Sequence, residues 1–184
     1  MEIIPANITH LTELLALSDI SFGEGYLTQK DIAQYFGTAD NYIFVAVNNK
    51  QVTGFITGIT CPESKLHTEV LEAYPLQSNE TGIIGVVKQV CVHPNFYREG
   101  IADELLKHII KAFKKCSELL CISWQKGNTT PMSKLLLKNN FKLKQTILNY
   151  WGTESIIKKY DCAICGSPPC KCTAELFVLN KKRG

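Results

Sequence analysis

The sequence predicts one domain of mixed α/β class, and three observations carry that reading. First, the β-branched run GIIGVVKQVCV (82–92), a helix-period segment (100–116) and the run ELLCISW (118–124) form a strand–helix–strand unit, which demands parallel strands joined by a right-handed crossover. Second, YIFVAV (42–47) and VTGFITGI (52–59), separated by the turn NNK, read as a hairpin and so add antiparallel pairing. Third, 184 residues with 45% hydrophobic and 20% charged side chains suit one domain, residues 1–184, with a core large enough to need no disulfides.

Taken in order, Ile8, Leu11, Leu14, Leu15 and Ile20 recur at helical spacing, so residues 8–20 read as an amphipathic helix. Thr28, with Asp31 three residues on, resembles a capping box and opens a short helix ending near Gly37. After the hairpin, residues 61–81 form a long polar connection with one helical turn around Val70. The strand 82–92 breaks at His93-Pro94, because proline has no donor for a sheet ladder. The next helix places Ala102, Leu105, Leu106, Ile109, Phe113 and Cys116 on one face. Thr130 caps a further helix with Pro131 at its first position, and Asn139 and Asn140 suit its end. KQTILNYW (144–151) and TAELFVL (173–179) are the last strands, joined as a hairpin by a cysteine-rich loop.

Composition narrows the function classes. No apolar run approaches the roughly 18 residues of a membrane span, and Glu2 near the start, with no basic segment, argues against a secretory signal. A cytoplasmic protein is the expectation. The net charge of +3 and a pI near 8.4 are too mild for a nucleic-acid binder.

Eight cysteines are many, and four of them crowd into Cys162, Cys165, Cys170 and Cys172. The pattern Cys-x2-Cys-x4-Cys-x-Cys can enclose one tetrahedral Zn2+, and four thiolates leave no open position, so such a site is structural. Free thiols, an iron–sulfur ligand set and a disulfide between Cys162 and Cys172 are the competing readings.

The most informative stretch runs from Val87 to Ile110. A strand ends, a tight turn carries Arg98, Glu99 and Gly100, and a helix begins at once. Free N–H groups at that helix start form an anion site; Gly100 and Ala102 let a phosphate reach backbone, and Arg98 adds charge. A strand ending in Val92-His93-Pro94, followed by Gly100-Ile101-Ala102 opening a helix, resembles the acetyl-CoA turn of the GNAT acetyltransferase superfamily. Arg98 fits the second loop position, while Tyr97 stands where the family has Gln or Arg. SKLLLKNNFK (133–142) is similar to the family's later helix, with Asn140 in place of its glycine, and the element order matches over about residues 1–180.

The resemblance implies a mixed sheet of the acyl-CoA N-acyltransferase type and transfer of an acetyl group from acetyl-CoA to an amine, on a small molecule or on a protein N-terminus or lysine. Backbone amides of Val90, Cys91 and Val92 would hold the pantetheine arm and polarise the thioester, and Arg98, Glu99, Gly100, Ile101 and Ala102 the pyrophosphate. The family's usual acid, a tyrosine five residues before the Phe, falls on Leu136, which cannot donate. The strand's acidic residue is also missing, with Val86, Lys88 and Gln89 there. Tyr150 and Tyr97 are the replacement hydroxyls, with Cys121 a weaker candidate, His93 an inert one, and His67 able to act only if its loop covers the acceptor. The alternative class is a non-catalytic acyl-CoA-binding, metal-sensing or redox-sensing module on the same fold.

Overall fold

The computed structural model describes residues 1–66, 82–125 and 130–181. Seven strands form one sheet in the order β1-β2-β3-β4-β5-β7-β6. They are β1 (Glu2–Pro5), β2 (Asn41–Asn48), β3 (Gln51–Pro62), β4 (Ile83–Val92), β5 (Glu118–Gln125), β6 (Lys142–Ile147) and β7 (Thr173–Asn180). Every pairing is antiparallel except β4 with β5. The parallel pair is the one the strand–helix–strand unit required, and the β2–β3 hairpin falls where alternation and the NNK turn put it.

Among the described residues, five helices flank the sheet: α1 (Leu11–Phe22), α2 (Gln29–Ala33), α3 (Ile101–Ala112), α4 (Pro131–Lys138) and α5 (Gly152–Lys158). The Thr28 and Asp31 side chains cap each other's backbone at the start of α2, and the Thr130 side chain accepts from Ser133 N at the start of α4, with Pro131 in its first turn. α3 lies against β2, β3 and β4. Its Leu105, Leu106 and Ile109, with Phe113 just beyond its end, are at most 1% exposed. Each such side chain contributes about 1.5–3 kcal/mol on burial.

The structure corrects the sequence reading at five places. Residues 2–5 pair with β2 as an edge strand, ahead of a helix that begins with a 3-10 turn at Ile8–His10. α2 stops at Ala33, short of Gly37, and β3 runs on to Pro62. The run TILNYW is a strand only to Ile147, because the chain turns through Asn149 at φ +54°; Tyr150 lies in that turn and not on a strand. The last two strands are therefore not a simple hairpin, since α5 and the thiol loop stand between them. The helical turn expected around Val70, and His67, lie outside the described residues. No helix among the described residues is long and apolar enough to cross a membrane.

Candidate active site

The turn that links β4 to α3 is set by two left-handed residues, Arg98 at φ +67° and Gly100 at φ +81°. Gly100 is the N-cap of α3, and its carbonyl accepts from Glu104 N at 3.1 Å. The first-turn N–H groups of Ile101, Ala102 and Asp103 thus precede the first helical bond and point out of the helix end. A Cβ on Gly100 would meet nothing within 4 Å, so this glycine answers to its φ and to an open face.

β4 and β5 pair only over four positions, from Ile84↔Glu118 to Val87↔Cys121. Beyond them both strands continue, β4 to Val92 and β5 to Gln125, without pairing to each other. The register on the β3 side also shifts here, between Thr57 and Gly58, leaving Lys88 without a ladder partner. The strands therefore splay, and one edge of β4 from Lys88 to Val92 turns backbone groups toward an opening. A groove of about 1330 Å³ fills that opening. It runs past Val90, Cys91 and Val92 to Arg98, Gly100 and Ala102.

The other end of the groove is aromatic. Phe22 from the end of α1, Tyr26 from the turn after it, Trp124 from β5, and Tyr150 and Trp151 before α5 line it. Their rings are 4.9 Å apart for Phe22–Tyr26, 5.3 Å for Phe22–Trp124, 5.8 Å for Trp124–Trp151 and 5.0 Å for Tyr150–Trp151. Polar groups frame this end. Glu154 and Lys158 of α5 pair at 2.9 Å, and the Lys158 ammonium lies 5.8 Å from the centre of the Tyr26 ring. The buried Gln89 carboxamide accepts from the Thr57 hydroxyl and, at 3.5 Å, from Tyr35.

Burial shifts the titration of Tyr26, Tyr35, Lys88 and Cys121. It pushes the Tyr26 phenol well above its ordinary value, with Glu154 and Tyr160 adding to the effect, so Tyr26 stays protonated. It raises Tyr35 too. Lys88 is exposed by surface area yet stands within the groove walls. Desolvation there lowers its pKa, Glu154 opposing and Lys158 adding to the shift. The Cys121 thiol, 2% exposed, is pushed up to about 12, which leaves no thiolate to act as a nucleophile at neutral pH.

Of the residues singled out in the sequence, Val90, Cys91, Val92, Arg98, Gly100, Ile101 and Ala102 all line the groove, while Glu99 is exposed and does not. Tyr97 and Tyr150 line it as well, Tyr97 58% exposed at the turn and Tyr150 half-buried among the aromatic rings. Leu136 is fully buried in the core. His93 is spent on its own backbone, its Nδ1 accepting from Asn95 N at 3.2 Å. Cys162, Cys165, Cys170 and Cys172 come together, all free, with their sulfurs within 4.8 Å of one another. Phe22, Tyr26, Trp124, Trp151 and Glu154 had no sequence signal, because their positions are scattered over the chain and meet only in the fold.

A mixed sheet that splays at the β4–β5 parallel pair, with a helix start facing the split, has the architecture of an acyltransferase-type fold. The sequence model of the acetyltransferase (GNAT) family matches residues 11–131. The chain belongs to this family, which makes it an acetyl-CoA-dependent N-acetyltransferase. No curated protein matches the sequence. Among solved structures it is similar to Arabidopsis thaliana NAA60, in complex with a bisubstrate analogue and with acetyl-CoA: TM-score 0.74 in both, identities of 15% and 16%, and 97% of each chain covered. It is similar to the ribosomal-protein-S18-alanine N-acetyltransferase of Escherichia coli, at TM-score 0.66 and 16% identity, over 100% of this chain and 95% of that one. The NatC complex bound to Gag peptide and CoA gives a TM-score of 0.65 at 14% identity, over 99% and 100%. At these identities the likeness is one of fold.

Proposed function

We propose that the acceptor is the α-amine of a peptide or protein N-terminus whose first side chain is apolar, and that the two ends of the groove divide the work. At the turn, the backbone of Arg98 to Ala102, with the Arg98 guanidinium, holds the pyrophosphate of acetyl-CoA. Along the splayed edge of β4, amides of Val90, Cys91 and Val92 hold the pantetheine arm, and one of them faces the oxygen that becomes negative during attack. The acceptor nitrogen, once neutral, attacks the thioester carbon; the C–N bond forms, the C–S bond breaks and the CoA thiolate leaves. Glu154 attracts the incoming ammonium, which sheds one proton to solvent before it attacks and a second as the amide forms, the latter balancing the proton given to the thiolate. Tyr150 returns a proton to the thiolate, with Tyr97 as the second hydroxyl on the same groove. Eight unpaired thiols suit a reducing compartment such as the cytoplasm.

The observation that carries this reading is the aromatic end of the groove, with a carboxylate beside it and open continuity to the cofactor turn. Rings suit an apolar side chain and attract the ammonium next to it, whereas a polyamine would call for several carboxylates. Three neighbours in fold point the same way: one is bound to a bisubstrate analogue, one is named for a ribosomal-protein alanine and one holds a peptide with CoA.

A CoA thiol-release assay over peptides with varied first residues, Nα-blocked lysine peptides, free amino acids and polyamines tests it. Turnover is expected with unblocked peptides bearing an apolar first residue. Turnover only with polyamines or blocked lysine peptides overturns the acceptor assignment, and CoA binding without turnover on any amine would leave a binding module.

A further inference from the structure

We propose that Cys162, Cys165, Cys170 and Cys172 bind one structural zinc ion, which fastens the wall of the groove on its acceptor side. The metal assignment stands on the thiols alone; the effect on the acceptor rests on the groove assignment above.

Three of the six sulfur separations match the edges of a tetrahedral metal site, and all six lie within 4.8 Å. Sγ of Cys162 and Cys172 are 3.6 Å apart, those of Cys165 and Cys170 3.5 Å, and those of Cys165 and Cys172 3.8 Å. A regular tetrahedron of sulfurs about 2.3 Å from a central zinc has edges of about 3.8 Å. A disulfide needs about 2.05 Å, so the cross-loop bridge does not match. An iron–sulfur cluster spreads its thiolates over two or more irons, so some of its sulfur pairs lie further apart than the 4.8 Å that bounds all of these.

The backbone is shaped for the same purpose. Cys162 and Gly166 exchange both backbone hydrogen bonds, each 2.9 Å, and Gly166 at φ +76° closes the turn between them. Ile164 N donates to the Cys162 sulfur and Lys171 N to the Cys165 sulfur, both at 3.4 Å. Such donors favour thiolates, which zinc requires, and binding releases the thiol protons to solvent. Tyr160 adds an independent sign. It is 1% exposed, it shares a buried cluster with Cys162, Cys170 and Cys172, and its hydroxyl has no hydrogen-bond partner among the described residues. A buried O–H donor beside a set of thiolates would complement their charge.

The loop is tied to the groove at both sides. Cys170 N donates to the Ser155 hydroxyl at 2.8 Å, and Ser155 adjoins Glu154 on α5. Ala163 N donates to the Phe22 carbonyl at 3.1 Å. Gly23 allows the approach, since a Cβ there would stand 1.8 Å from the Asp161 carbonyl oxygen. Ile164 itself lines the groove. Phe22 and Glu154, two groove residues from separate helices, are thus held by one thiol loop.

Protein purified reduced and without chelator should contain about one zinc per chain by elemental analysis. Titrating this holoprotein with an organomercurial should release that zinc as thiols react, and cobalt loaded in its place should show the thiolate charge-transfer bands of a tetrahedral site. Removal of zinc, or Cys165→Ser with Cys170→Ser if that variant folds, should lower Tm and raise the acceptor KM several-fold while the Kd for CoA stays as it was. Metal-free protein with reactive thiols and an unchanged Tm overturns the site, and so does stoichiometric iron. Zinc present but without effect on acceptor KM overturns the wall and leaves the site. Zinc present in a protein that acetylates no peptide counts against the acceptor reading alone.

Discussion

Tyr150 and Leu136 show how far a single position can be read. Leu136 falls where the family resemblance puts a proton donor, and it is fully buried among the core side chains of α4. Tyr150 instead brings a hydroxyl into the groove from the turn before α5, braced by its edge contact with Trp151. Tyr150→Phe removes only that hydroxyl, so kcat should fall by on the order of 10²-fold while the Kd for CoA is unchanged. Steady-state kinetics together with calorimetry checks this. Wild-type kcat in the variant, with the loss appearing in Tyr97→Phe, would move the donor to the cofactor turn.

At the scale of elements, the turn before α3 works as a unit. Two left-handed residues aim the first-turn amides of α3 at the groove, and only one of the two is a glycine. Valine at position 100 would carry a branched side chain at φ +81°, a strain of roughly 1–2 kcal/mol, and would crowd the phosphates. Gly100→Val should therefore weaken CoA binding by about ten-fold or more with the fold retained. Arg98→Ala should cost about 1–3 kcal/mol, one charged hydrogen bond. Calorimetric titration with CoA measures both, and full affinity in Gly100→Val would place the cofactor elsewhere. The turn was legible in the sequence because its parts are contiguous. α5 was not: only Ser155 of its residues is buried, and Ile156 and Ile157 are exposed, so it has no apolar stripe to reveal a helical period. β1 is four residues at a sheet edge and was equally silent. β6 is nearly all exposed, with Lys142 and Lys144 along an edge strand, and its true end was hidden by the β-like run that follows.

Across the whole molecule, the splay that opens the groove leaves the two halves of the sheet joined by the short β4–β5 pairing, and α3 bridges them. It packs on β2, β3 and β4, while Asp103 in its first turn reaches across to α4, bonding Lys138 at 2.7 Å and Asn139 at 2.8 Å. At its other end the Lys181 ammonium, just past β7, donates to the carbonyls of Ile110 and Phe113. Asn139, Lys138 and Lys107 together hold the Asp103 carboxyl well below the usual carboxylate range. A carboxyl depressed in the folded state stabilises the protein fully above its unfolded pKa, near 4, and that contribution is lost as pH falls from there through the folded value. Asp103→Asn should cost about 1–3 kcal/mol at pH 7, and its deficit in Tm should shrink below about pH 4. A deficit that is the same at pH 7 and pH 3 would mean the carboxylate charge does not staple the halves.

What the sequence by itself determined is whatever lies within one or two turns of chain: the β2–β3 hairpin, the strand–helix–strand unit with its parallel pair, the caps at Thr28 and Thr130, the tight turn into α3 and the spacing of four thiols. Periodicity, capping and turn chemistry are local, so they survive in one dimension. The meeting of Phe22, Tyr26, Trp124 and Trp151, the reach of Asp103 to Lys138, and the docking of the thiol loop on Phe22 and Ser155 were decided only by the tertiary structure. Each depends on which elements the sheet order sets side by side, and that order follows from burying every apolar face at once.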